Sequence, residues 1–221
     1  MIHVTGDTHC GRDLGDIPRW LTAYEGKLTT QDYLIILGDA GFGYAPWFDK
    51  FMNECGCTIL VVPGNHENYP WIAKGQLVPL LGAEATQVLN NVFYLQTGSV
   101  YTISKKTFFC FGGATSVDKE KQMKLGSWHE EEVPTLEQFE QGLHTMKARK
   151  NKVDYVITHT APKSIASIIK PHPQSSDIVE SYLEVFYDLL NWNRWFCGHL
   201  HTEGIHSKYV RVLFNSVMEI L

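Results

Sequence analysis

Five short apolar segments of this 221-residue chain run directly into residues that can move protons or hold cations. Ile2-His3-Val4 leads to Gly6-Asp7-Thr8-His9, and Tyr33 to Leu37 leads to Gly38-Asp39. Ile59 to Val62 passes through Pro63-Gly64 into Asn65-His66-Glu67. Val153 to Ile157 leads to Thr158-His159, and Arg194 to Cys197 leads to Gly198-His199-Leu200-His201. Asp7, His9, Asp39, Asn65, His159, His199 and His201 together offer carboxylate, amide oxygen and imidazole without thiolate. That donor set suits Mn, Fe, Zn, Co or Ni, and it is large enough for two ions. Two metals roughly 3.5–4 Å apart can hold a hydroxide, neutralise an oxyanion and align an in-line displacement at phosphorus. His66 is then the spare imidazole, able to protonate a leaving alkoxide or stabilise the transition state. Glu67 is either its orienting partner or a solvated acid.

Such chemistry needs elements that bring distant residues together. Short apolar runs bounded by Gly and Pro suit strands buried on both faces. Polar groups at their ends lie where α/β sheets bind ligands. One such end means little, because Pro-Gly-Asn is ordinary turn chemistry; five of them imply convergence. Glycine before the polar residue allows a tight turn or a close approach to a bound group.

Helices are expected over Ile17–Leu28, with Pro18 in the first turn, and over Pro46–Asn53, with Trp47, Phe48, Phe51 and Met52 facing inward. Thr135–Lys150 starts with Thr135 and Gln138 as a capping box and carries Leu136, Phe139, Leu143 and Met146 as its apolar stripe. Asp177–Leu190 carries Ile178, Tyr182, Val185 and Leu189 on one face. Residues 67–81 read as loop plus a short helix, and 112–134 as a long polar loop of the kind that is often functional. Val92–Leu95, Val100–Ile103 and Thr107–Phe111 read as strands, with a hairpin turn at Ser104-Lys105-Lys106, so antiparallel pairing accompanies the parallel strands. Pro171-His172-Pro173 marks a break, and strands return over Tyr209–Asn215 and Val217–Leu221.

The length predicts one domain over residues 1–221, with a substantial core. A net charge of -5 argues against a broadly basic nucleic-acid surface. No apolar run approaches the span of a membrane helix, and the N-terminus enters a strand without a basic or signal-like lead, so no membrane partner and a cytoplasmic location are expected. The five cysteines are odd in number and scattered, which speaks against a disulfide framework. Cys55-Gly56-Cys57 is too short for a usual zinc knuckle and lacks a second pair, so free thiols are expected. Cys10, directly after His9, is the one placed to line the site.

The ordered series Gly-Asp-x-His, Gly-Asp, Gly-Asn-His-Glu, Thr-His and Gly-His-x-His, spread over residues 6–201, resembles the calcineurin-like metallophosphoesterase superfamily. The resemblance implies an α/β fold in which two mixed β-sheets pack as a sandwich flanked by helices. It implies a first metal on Asp7, His9 and His201, a bridging Asp39, and a second metal completed by Asn65, His159 and His199. His66 would be the catalytic histidine. The implied cofactors are two divalent or trivalent transition-metal ions, manganese first, with iron, zinc, nickel or cobalt as alternatives. The implied substrate is a phosphoester, monoester or diester, cleaved by metal-bound hydroxide without a covalent enzyme intermediate.

Two departures narrow the resemblance. Many relatives read Gly-Asp-x-x-Asp-Arg-Gly where this chain has Gly38-Asp39-Ala40-Gly41-Phe42-Gly43, so the phosphate-gripping Arg of the Ser/Thr protein phosphatases is absent there. Cys10 also replaces Gly after the first His. Arg12, Lys119 or Lys121 are the candidates for the missing positive charge, each set against a solvated surface role. His129 and the small residues of 112–119 are candidates for substrate recognition. His3, His129, His144, His172 and His206 have no ligand-like setting. Alternatives within reach are a nuclease, a Ser/Thr-type protein phosphatase and a catalytically silent metal-binding scaffold.

Overall fold

A computed structural model describes residues 1–170, 177–207 and 209–221; the break expected at Pro171-His172-Pro173 lies outside them. The first half of the chain lays down β1 (Ile2–Thr5), α1 (Ile17–Ala23), β2 (Tyr33–Ile36), α2 (Pro46–Asn53), β3 (Thr58–Val61), α3 (Tyr69–Ile72), β4 (Gln76–Leu80), β5 (Ala83–Gln87) and β6 (Val92–Leu95). The chain continues with β7 (Ser99–Ile103), β8 (Lys106–Phe111), α4 (Lys119–Leu125), α5 (Leu136–Ala148), β9 (Tyr155–Thr158), α6 (Lys163–Ile169), α7 (Ile178–Leu189), β10 (Arg194–Cys197), β11 (Gly204–His206), β12 (Val210–Val212) and β13 (Met218–Glu219). One sheet has the order β13-β1-β2-β3-β6-β5-β4 and the other β11-β12-β10-β9-β8-β7. Both are mixed. β1, β2, β3 and β6 run parallel, as do β8, β9, β10 and β12, and antiparallel strands flank each set.

Alternation along the strands sorts side chains into layers. Ile2, Val4, Ile35, Leu37, Leu60 and Val62 of the first sheet meet Tyr101, Phe108, Cys110, Ile157 and Phe196 of the second. Their neighbours of opposite parity, Leu34, Ile36, Ile59 and Val61, pack on Ile17, Trp20, Phe48 and Met52 of α1 and α2. On the far side, Phe109, Phe111, Val156, Trp195 and Cys197 pack on Met146, Ile165, Val179, Leu183 and Phe186 of α5, α6 and α7. The result is the expected sandwich of two mixed sheets between helical layers. Strands buried on both faces explain the unbroken apolar runs.

Several boundaries differ from the sequence reading. β4 and β5 are a hairpin where loop was expected. Its turn is Leu81-Gly82, both at positive φ, and β4 is an edge strand that tolerates Pro79. A largely exposed edge lacks the apolar run that marks a buried strand. α4 lies in the stretch read as a long polar loop, and α6 falls where no element was expected. α1 stops at Ala23, well short of Leu28. The buried stripe of α7 is Val179, Leu183 and Phe186, while Ile178, Val185 and Leu189 are exposed. Trp47 on α2 is 57% exposed and Leu136 on α5 59%, against their expected inward placement. Among the described residues no helix is long and apolar enough to cross a membrane.

Candidate metal centre

Parallel strands deliver their C-terminal ends to one edge of a sheet. β1, β2 and β3 do this side by side, as do β9 and β10 in the second sheet. The loops that follow are tied to one another. Thr8 and His9 donate their backbone N–H groups to the Asp39 carbonyl at 3.2 and 2.8 Å, and Cys10 N–H donates to the Ala40 carbonyl at 3.0 Å. In the second sheet Gly198 N–H donates to the His159 carbonyl at 2.8 Å.

Two groups of side chains offer donor atoms close enough to hold a cation: Asp7, His9 and His201, and Asp39, His159 and His199, each with its ligating atoms within 4.8 Å of one another. Asp39 lies between the two groups, with Oδ2 3.4 Å from His9 Nε2 and Oδ1 3.4 Å from His159 Nε2. Each buried aspartate uses one oxygen for positioning. Asp7 Oδ1 accepts from His199 N–H at 2.9 Å, and Asp39 Oδ1 from His66 N–H at 2.7 Å. The other oxygen of each, Asp7 Oδ2 and Asp39 Oδ2, is buried and accepts no hydrogen bond. His201 Nε2 comes within 3.1 Å of Asp7 Oδ2 but outside hydrogen-bonding geometry. A buried carboxylate oxygen without a donor is costly, and a cation satisfies it.

The imidazoles repeat the logic. His159 Nδ1–H donates to the Leu37 carbonyl at 2.7 Å, and His9 Nδ1 lies 2.8 Å from Asp13 Oδ2, so both rings anchor Nδ1 and turn Nε2 inward. His159 Nε2 then faces Asn65 Oδ1 at 2.9 Å and Asp39 Oδ1 at 3.4 Å. Three electron-rich atoms meet at one point, and they tolerate one another only around positive charge, whether a proton or a metal ion. Burial alone would lower the His159 pKa, but the Asp39 charge overrides it and pushes it up to about 10. Burial would raise Asp39, but His159 holds it well below the usual carboxylate range. His9 moves up for the same reason, its burial outweighed by Asp39. His199 goes the other way, to about 3, through burial and the His159 charge, and is therefore in the neutral form that ligates metals. Asn65 is held by Nδ2 donating to Ser116 Oγ, which in turn donates to Glu132. His201 is half-exposed and stacks on Phe214 with ring centroids 4.7 Å apart.

Backbone strain gathers here. His9, Cys10, Asp39, His199 and His201 all have left-handed φ, between 42° and 62°. For non-glycine residues this costs roughly 1–2 kcal/mol each, offset by the loop-to-loop hydrogen bonds. The glycines serve proximity more than turning. A Cβ on Gly38 would lie 2.1 Å from His159 Nδ1, and one on Gly198 2.3 Å from Asp7 Oδ1.

Glu67 corrects an expectation. It neither orients His66 nor meets solvent. It is buried and accepts from Ala40 N–H (3.0 Å), Gly41 N–H (3.2 Å) and Tyr94 OH (2.8 Å), bracing the loop after Asp39 from beneath. Burial, with the Asp39 charge second, lifts its carboxyl to about 7. Glu67→Ala leaves three donors without an acceptor, each costing about 1–3 kcal/mol. Urea unfolding should show a stability loss of about 3 kcal/mol or more with an unchanged slope, and Glu67→Gln a smaller one.

His66 is exposed, with its ring centroid 6.2 Å from that of His9 and its Nδ1 3.2 Å from Gln122 Nε2 on α4. Gln122, Asp13 and Glu132 were not singled out by sequence, and Ser116 entered only as part of the 112–119 stretch. Of these, only Asp13, four residues from His9, carried a local signal. Among candidate substrate contacts, Arg12 is exposed on the turn after His9. The Lys119 ammonium sits 4.0 Å over the Trp128 ring. His129 meets Tyr69 edge-on at 6.1 Å, and Tyr69 OH donates to the Gly64 carbonyl at 2.6 Å. The small residues at 112–116 do allow a close approach, to the ligand loop itself: Gly113 N–H donates to the Pro63 carbonyl at 2.7 Å. Cys10 packs half-buried in the helical layer beneath α1 and α2.

A family model described as calcineurin-like phosphoesterase matches residues 1–203. No curated protein matches the chain.

Proposed function

Because this chain belongs to the calcineurin-like phosphoesterase family, we propose that it hydrolyses phosphoric esters with two metal ions, residues 1–221 acting as one domain. Asp7, His9 and His201 would hold one ion; Asn65, His159 and His199 would hold the other; Asp39 would be shared. The observation that carries this reading is the placement of Asp39 between the two donor groups, one oxygen toward each. Bound there, transition-metal ions supply Lewis acidity toward phosphoryl oxygens and lower the pKa of a water. Manganese is the ion to load first, with iron, zinc, cobalt and nickel compatible with the same donors.

The chain's own part is positioning and proton transfer. Asn65 presents its oxygen because Ser116 holds its amide nitrogen. His66 donates a proton to the leaving oxygen. Gln122 Nε2 lies 3.2 Å from His66 Nδ1 and also donates to Asp118, so α4 holds the His66 ring in place. His66 N–H is bonded to Asp39, so the same contact that places the shared carboxylate also places the catalytic histidine. Arg12, Lys119 and His129 are the candidate substrate contacts, His129 being set edge-on against Tyr69.

The test is turnover by manganese-loaded protein on a chromogenic phosphomonoester, a phosphodiester, a phosphopeptide and single-stranded nucleic acid. Hydrolysis abolished by chelation and restored by metal is expected with one or both simple esters. Metal-replete protein inert across the whole panel would overturn the reading in favour of a silent scaffold.

A further inference from the structure

The pair Cys55 and Cys57, between α2 and β3, plays no part in the metal centre. Asn65 and His66 follow the opposite end of β3, about 13 Å away along the strand. Both cysteines are free, and their sulfurs lie 3.2 Å apart in a thiol hydrogen bond. Gly56 between them, at φ 81°, folds the chain so that the side chains meet. Asn91 clamps the turn: its Nδ2 donates to the Met52 carbonyl (3.2 Å), the Cys57 carbonyl (2.9 Å) and Cys55 Sγ (3.5 Å). Cys57 is buried, whereas Cys55 is half-buried and reachable.

We propose that Cys55 and Cys57 form a redox-active dithiol, closed to an intramolecular disulfide by exchange with a small disulfide of the glutathione class. Cys55 is the attacking group. Its hydrogen bond with the Cys57 thiol, together with the Asn91 amide donating to its sulfur, lowers its pKa against burial, and the same thiol contact raises that of Cys57. The Cys55 thiolate attacks one sulfur of the small disulfide. That S–S bond breaks, and one small thiolate leaves and takes a proton from water. Cys57 then gives its proton to solvent and attacks Cys55 Sγ, expelling the second small thiol. Two protein thiols are oxidised and one small disulfide is reduced to two thiols. A ring closed over three residues gains little chain-entropy stabilisation, so the bond serves as a reversible, easily reduced one and not as a staple.

The two cysteines share a tryptic peptide, 51–74, with no other cysteine. The full chain is equilibrated in glutathione buffers stepped from reducing to oxidising, quenched in acid, denatured, alkylated and digested. The expected result is loss of both alkyl groups from that peptide, which becomes two hydrogens lighter, while Cys110 and Cys197 remain fully alkylated. Cys57→Ser should stop at a glutathione adduct on Cys55. Full double alkylation of the wild-type peptide at the oxidising end overturns the proposal. So does a stable glutathione adduct on wild-type Cys55, because it means that Cys57 does not resolve the exchange.

Discussion

Asp39→Asn should lose metal and activity together. The wild-type carboxylate is buried, holds the His66 N–H with Oδ1, and leaves Oδ2 without a donor beside His9. The amide removes the negative charge that two cations would share and directs an N–H₂ group at one of them. Shared coordination contributes several kcal/mol to charge stabilisation in two-metal sites, and each 1.36 kcal/mol is tenfold in rate. A fall in kcat/KM of about 10³-fold or more is therefore expected, with metal content below that of wild type by elemental analysis. The fold should survive, because the core beneath is apolar and unaltered. A far-UV spectrum matching wild type, with metal gone, is the expected combination. Full metal content with undiminished turnover would remove Asp39 from the centre.

His66→Ala should separate what Asp39→Asn combines. The side chain is exposed and touches Gln122, while its backbone N–H, which the substitution retains, is what bonds Asp39. Metal content should stay at the wild-type level. Loss of a positioned proton donor costs typically 10²–10⁴-fold, and the loss should appear in kcat more than in KM. The defect should shrink with a substrate whose leaving group is acidic enough to depart without a proton, such as a nitrophenolate, and remain large with an alkyl ester. Equal defects on both leaving groups would assign His66 to charge stabilisation instead of proton donation.

The difference between these variants mirrors what each residue meets in the fold. Along the chain, Asp39 and His66 are both polar residues after a Gly-ended strand, and nothing local distinguishes a shared carboxylate from a proton donor. That distinction came from the resemblance of the ordered motifs. Glu67 illustrates the limit. Beside His66 it invites the role of orienting acid, yet successive residues after the strand point in different directions, and its carboxylate ends under Ala40 and Gly41. Gln122 was illegible for a related reason. Its helix is short, polar and embedded in a long irregular stretch, and its contact to His66 spans 56 residues.

Residue types and their order were enough for the class of chemistry and the two-sheet architecture. Apolar runs ending in Gly-Asp, Asn-His and His-x-His are local features, and burial of such runs follows from their hydrophobicity alone. Which oxygen of each aspartate is tied to a backbone N–H and which is left bare depends on contacts between distant strands, as in the bond from His199 to Asp7 across 192 residues. So do the inward turn of His159 Nε2, the brace under Ala40 and the meeting of two thiols beneath Asn91. A hydrogen bond is directional and short-ranged, so its partners are set by where folding leaves two loops relative to each other, and no pattern along a single loop encodes that.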